Sequence, residues 1–244
     1  MKFKREITRE NFGTDYMKTI NLPDLKILHK EGFNVGGFEF VMRLSVFCTI
    51  TLEMLIFLVE NGASLTETNY QGTCFPMNMA VYGKNVDYDI LSYLLENGLS
   101  LLSSGHESFQ NRLATYGNIT LPMLKLLLKH PDMMNVNEED CQGRTFCMKM
   151  AINKNIKVDF PILKVLIENG LSFTKHDSQN YAFTAMFCAY NTVNMEIIEL
   201  LMNSGESFEL RSYFMEYTVR DFLKIRCGYD IPRVSHVCLS TTPQ

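Results

Sequence analysis

The chain is 244 residues long, 46% hydrophobic and 20% charged, a balance that excludes a disordered segment and suits a folded domain or an elongated array. Its formal net charge of -4, with lysines and arginines scattered along the chain, lacks the concentrated basic footprint of a nucleic-acid binder. The seven cysteines (Cys48, Cys74, Cys141, Cys147, Cys188, Cys227 and Cys238) include no CxxC pair and read as reduced, mostly buried thiols rather than a disulfide framework.

The first residues, Met1 to Glu6, are charged with no apolar stretch behind them, so no secretory signal is expected and the expected compartment is the cytoplasm, with the nucleus open to diffusion. The first helical pattern, LKILHKEG, closes at Gly32. Leu44 to Val59 is the most apolar stretch, but it is shorter than a membrane span and carries Glu53 in its middle, so it predicts a buried helix pair and no membrane partner. The second helix of that pair, LIFLVENG, closes at Gly62.

The same ending returns in LSYLLENG at Gly98, LKVLIENG at Gly170 and IIELLMNSG at Gly205, while in LKLLLKHPD Pro131 stands in for the glycine. Apolar residues at i, i+3, i+4 and i+7, such as Ile90, Leu91, Leu94 and Leu95, predict one inward stripe per helix. The glycines predict left-handed C-terminal caps. Asp87, Asp159 and Asn194 are placed to cap the helix starts, and Pro23, Pro122 and Pro161 fall in opening turns.

A shorter first helix precedes each of these, predicted over Phe75 to Tyr82, Phe146 to Asn153 and Thr184 to Asn191, with Ala80, Ala151 and Ala189 allowing close approach. The repeat is plainest where Gln71 to Ser100 aligns with Gln142 to Ser172: Gly72, Phe75, Met77, Met79 and Ala80 fall on Gly143, Phe146, Met148, Met150 and Ala151. Met186 and Met195 share the helical spacing of these methionines, most of which read as core fillers. Helix pairs of this length cannot bury their apolar faces alone and must stack on neighbours.

The pattern G-x-T-x-x-x-x-x-A, then a leucine-rich helix ending in G-[AL]-S, resembles the ankyrin repeat, most closely in LIFLVENGASL from Leu55 to Leu65. The resemblance runs from about Thr14 to about Gly228, and Tyr217 to Leu223 resembles the start of a terminal capping repeat. The family's TPLH tetrapeptide is replaced by Cys74-Phe75-Pro76-Met77, Thr145-Phe146-Cys147-Met148 and Thr184-Ala185-Met186-Phe187, and the copy around Gly105 to Gly117 has lost nearly every signature residue. The lengthened link at Val86-Asp87 and Val158-Asp159 is similar to divergent ankyrin proteins of large DNA viruses and some unicellular eukaryotes.

The resemblance implies an all-α solenoid of stacked helix-turn-helix repeats with short hairpin fingers. Its units fall at about 13-34, 35-67, 68-103, 104-137, 138-174 and 175-209, with a cap at 210-230 and a tail at 231-244.

It further implies a protein–protein interaction module that binds or sequesters a partner protein on its concave face, a monomer being favoured. The implied contacts are Tyr70, Gln71, Asp140, Gln142, Gln179, Asn180 and Tyr181 in the fingers, with Asn78, Tyr82, Lys149, Asn153 and Tyr190 on first helices. The alternative is a substrate adaptor that recruits a client to a ubiquitin ligase through the residues after Tyr229. The acidic run Glu138-Glu139-Asp140 reads either as a solvated finger turn or as a contact for a basic partner.

No enzyme is expected: a fold is not a site, and no phosphate loop, GxSxG or HExxH occurs. His29, His106, His130, His176 and His236 sit in separate units, so no metal ligand set and no cofactor are expected either. Cys141 and Cys147, six residues apart, read first as buried thiols and second as a redox pair.

Overall fold

The computed structural model describes residues 14–83, 86–99, 107–130, 134–206, 208–209 and 218–231. Within them the chain is all-helical. The helices are α1 (Thr14–Met17), α2 (Leu22–Lys30), α3 (Phe38–Phe47), α4 (Leu52–Glu60), α5 (Phe75–Asn78), α6 (Tyr88–Glu96), α7 (Phe109–Tyr116), α8 (Leu121–Leu128), α9 (Phe146–Ile152), α10 (Phe160–Glu168), α11 (Phe183–Tyr190), α12 (Met195–Asn203) and α13 (Val219–Cys227). No described helix is long and apolar enough to cross a membrane.

Short-range chemistry sets the even-numbered helices. Asp87, Asp159 and Asn194 accept hydrogen bonds from the backbone N–H groups of Ile90, Ile162 and Ile197 at 2.9, 3.2 and 2.9 Å, satisfying donors that the first turn leaves free. Asn21 and Asp24 form a reciprocal capping box on α2, and Pro23, Pro122 and Pro161 lie in opening turns. At the other end, Gly32, Gly62, Gly98, Gly170 and Gly205 all have φ between +82° and +95°. Helix α8 ends at Leu128 with Lys129 as its cap, and Pro131 lies outside the described residues. Gly36 answers to a different demand: a Cβ there would stand 2.1 Å from the Asn61 carbonyl oxygen, so only glycine lets this loop lie against the end of α4.

The helices form two rows. Each odd-numbered helix touches the next odd one, α1 on α3 and so on to α11 on α13, and each even one touches the next even one from α2 to α12. The core lies between the rows and runs continuously along them. Leu25, Leu55, Leu91, Leu124, Leu163 and Leu201, from six successive even helices, are all fully buried. Each such leucine contributes about 1.5–3 kcal/mol by leaving water.

Two expected first helices differ in detail. The one predicted over Phe75 to Tyr82 is α5 followed by a π turn at Met79–Gly83, and the one predicted from Thr184 begins a residue earlier, at Phe183. Met77, Met79, Met148, Met150 and Met186 are buried as expected, but Met195, at the first position of α12, is 48% exposed because its face of the helix points away from the core.

The segment that has lost its sequence signature keeps its helices. Phe109 opens α7 just as Phe75, Phe146 and Phe183 open α5, α9 and α11, and all four rings are fully buried. Successive units are tied by side chains that reach back. Asn153 donates to the carbonyls of both Ala114 and Gly117 at 2.9 Å, Asn191 donates to that of Ala151 at 2.7 Å, and Arg226 donates to that of Ala189 at 3.3 Å. Buried carbonyls need donors, and these come from the neighbouring unit. Asn153→Ala should therefore cost about 2–3 kcal/mol by leaving two carbonyls unsatisfied, read from urea unfolding; a loss near zero would mean water replaces the clamp.

Candidate functional site

The fingers at 68–74, 139–145 and 176–182 share one backbone plan. Each is closed by an isolated antiparallel bridge, Thr68 with Cys74, Glu139 with Thr145 and His176 with Ala182. In each, a short polar side chain organises the tip: Asn69, Asp140 and Asp177 each accept from backbone N–H groups two and four residues ahead, at 2.8–3.0 Å. The turn then needs a left-handed residue. Gly72 and Gly143 both have φ +71°, and Asn180 takes the third place at +65°, the residue type that tolerates this region best after glycine.

This plan puts Gln71, Gln142 and Gln179 at one equivalent, exposed position in successive fingers. Tyr70 beside the first of them is 95% exposed, and Asn180 is exposed while Tyr181 is half-buried. The last two fingers are joined, since the Ser178 N–H donates to the Gln142 carbonyl at 2.8 Å and Arg144 pairs with Asp177 at 3.4 Å. They therefore present Gln142 and Gln179 from one stiffened edge.

Three residues expected to point outward are buried. Asn78 donates to the Met42 carbonyl at 3.4 Å, and Asn153 serves as the clamp described above. Lys149 has only 4% of its side chain exposed; its ammonium lies 2.6 Å from Glu107 and 2.9 Å from Asp140. A buried ammonium without carboxylates would be expensive, so these partners hold it inward. Arg112 extends the cluster, with Nε 3.7 Å from Glu107 and Nη2 donating to Thr73 at 3.0 Å.

Burial raises the Asp140 carboxyl, but the Lys149 ammonium and the N–H groups of Arg144 and Gln142 outweigh it and hold the pKa below the ordinary aspartate value. The acidic run is accordingly engaged within the chain: Glu138 accepts from Gln110 at 3.1 Å, Glu139 pairs with Lys175, and Asp140 pairs with Lys149. Asp140 is thereby drawn inward, whereas Glu138 meets only a neutral amide and the Glu139 side chain stays 42% exposed.

Tyr82 and Tyr190 are exposed, but they stand at the far ends of their first helices, away from the fingers. The structure thus separates two groups that the sequence put on one face. Sequence reasoning missed Glu107, Arg112 and Tyr116. The available signal was Phe109, which lies 34 residues after Phe75 and 37 before Phe146, so the lost unit could have been registered on it. Ser108 Oγ, Gln110 Oε1, Asn111 Oδ1 and Arg112 Nε are buried without a hydrogen bond, a concentration of unsatisfied groups in that same unit.

The thiols divide by position. Cys48, Cys74, Cys147 and Cys188 are buried and Cys141 and Cys227 exposed, all unpaired, while Cys238 lies outside the described residues. Complete burial pushes the Cys147 thiol far up, and burial with the nearby Glu206 carboxylate does the same to Cys188. Cys147 is thus a core residue rather than half of a redox pair with the exposed Cys141. Among the described residues no three His, Cys, Asp or Glu side chains gather as a metal site, and His106 and His236 lie outside them. His29 packs edge-on against Phe57 at 5.9 Å. No protein-family model matches the chain. No curated protein matches it either.

Proposed function

We propose that the chain is an ankyrin-type solenoid without a reaction of its own, which binds a partner protein along the edge where its fingers project. The observation that carries this reading is the shared plan of the fingers, each holding a glutamine at the same exposed place. Identical scaffolding that ends in an exposed amide stabilises the chain no more than any polar residue there would, and it suits recognition. The two rows of helices support the solenoid: the boundaries read from sequence enclose one odd and one even helix in each unit, and among the described residues the main contacts within each row run between successive helices.

Photo-crosslinking amino acids placed at Gln71, Gln142 and Gln179 test it, with Glu199 on the exposed face of α12 as the control position. The expected result is one partner protein captured from the three finger positions and not from the control. Tyr70→Ala with Gln142→Ala and Gln179→Ala should weaken that complex by about tenfold or more, since exposed aromatic and amide anchors concentrate binding energy. A captured partner whose affinity ignores these changes would sink the finger-edge reading.

A further inference from the structure

The exposed large apolar side chains do not gather at the fingers. Among the described residues Tyr70 alone stands there, Ile27 and Ile225 lie within α2 and α13, and Tyr82, Tyr88, Tyr116, Tyr190 and Met195 sit at the opposite edge, where first helices end and second helices begin. The two edges are separated by the length of a first helix, about 12 Å for a helix the size of α7.

That second edge contains a groove of about 670 Å³ across the starts of α4, α6 and α8, in the range of about 300–1,000 Å³ typical of binding pockets. Its floor is apolar, made by Ile50, Val86, Ile90 and Met123. Tyr88 lines it, and Tyr116 lies two residues before its Asn118.

Its charge has one sign. Glu53, Asp87 and Asp89 line it, all exposed, and none makes an ion pair among the described residues; no described lysine or arginine lines it. Three helix N-termini oppose that charge with about half a positive charge each, less than the three described carboxylates carry. Part of the N-terminal field is already spent, since Thr51 caps Met54 at 3.3 Å and Asp87 caps Ile90 at 2.9 Å.

We propose that this groove is a second docking site, for an extended segment of a partner protein in which arginine stands beside a leucine-sized side chain. Exposed carboxylates without an ion pair among the described residues, beside the Tyr88 ring, fit a guanidinium, which can be held by a carboxylate and stacked on a ring at once. The apolar floor takes the neighbouring side chain. Helix spacings of about 8–10 Å put α4 and α8 about 16–20 Å apart, within the reach of six extended residues.

The test uses the full chain and a fluorescein-labelled peptide of about eight residues alternating arginine and leucine, long enough extended to span the groove. Companion peptides replace its arginines with glutamate, or its leucines with alanine. The arginine–leucine peptide should bind, and each companion should bind at least about tenfold more weakly. Glu53→Gln with Asp89→Asn, which replaces no N-cap residue, should weaken binding by about threefold or more, and adding Asp87→Ser, which keeps a capping oxygen, by about tenfold in total. Tyr88→Ala should weaken it, while Gln142→Ala on a finger should not.

The proposal is overturned if the arginine–leucine peptide does not bind. It is equally overturned if the glutamate peptide binds as well, or if the groove variants retain full affinity while circular dichroism shows them folded. Loss through Gln142→Ala equal to that through the groove variants would move the contact to the finger edge and overturn the groove.

Discussion

Phe109→Ala is expected to lower the unfolding free energy by about 3–5 kcal/mol, the cost of removing a fully buried ring from a packed interior. The ring opens α7, which lies between α5 with its π turn on one side and α9 on the other, while α8 links α6 to α10. These two helices join the two halves of the molecule. Because the main contacts of each row among the described residues run between neighbours, damage at the joint should also break cooperativity. Urea unfolding followed by circular dichroism should therefore show one transition in the parent protein and two in the variant. A single transition displaced by less than about 1 kcal/mol would show that α7 bears little of the load. The unit is already the least well satisfied, with Ser108, Gln110 and Asn111 each holding a buried atom without a hydrogen bond.

Lys149→Met should cost about 3 kcal/mol at neutral pH, because it leaves Glu107 and Asp140 facing each other with their shared cation gone. The pH dependence has a definite sign. The folded pKa of Asp140 is below its unfolded value near 3.8, so its contribution is fully present above that value and is lost as pH falls through the lowered folded one. The difference between parent and variant should therefore be largest above about pH 5 and shrink toward pH 3, as the Asp140 carboxylate takes up a proton. A difference that is constant across that range would show that the lysine acts through its packing rather than its charge. Replacing Asp140 by asparagine in the same variant should recover part of the loss, since the carboxylate facing Glu107 is then gone while Glu107 keeps Arg112.

The register of the even-numbered helices was legible from residues alone. Asp87, Asp159 and Asn194 cap where expected, and Gly32, Gly62, Gly98, Gly170 and Gly205 adopt positive φ after the helices they close. The unit containing α7 was harder to read because its G-x-T lead is gone and Pro131 stands in for its closing glycine, leaving Phe109 and Ala114 to hold the place. The fingers were half legible: Gln71, Gln142 and Gln179 lie outward as expected, but Asp140 beside them is drawn into the charge cluster. Residues after Ile231, on which the adaptor reading rests, lie outside the described residues.

The difference follows from range. A cap, a proline in an opening turn or an apolar stripe acts within four residues, so the amino-acid order by itself determined the even-numbered helices and where they start and stop. Whether a polar side chain on a first helix faces out or in depends on groups far along the chain. Lys149 meets Glu107, 42 residues earlier, and Asn153 meets Ala114, 39 residues earlier. Only the stacking of one unit on the next brings those charges and carbonyls within reach, and once there they outcompete water for the side chain. The tertiary structure therefore decided which of the candidate contacts remain at the surface, and it set the fingers and the exposed tyrosines other than Tyr70 on opposite edges.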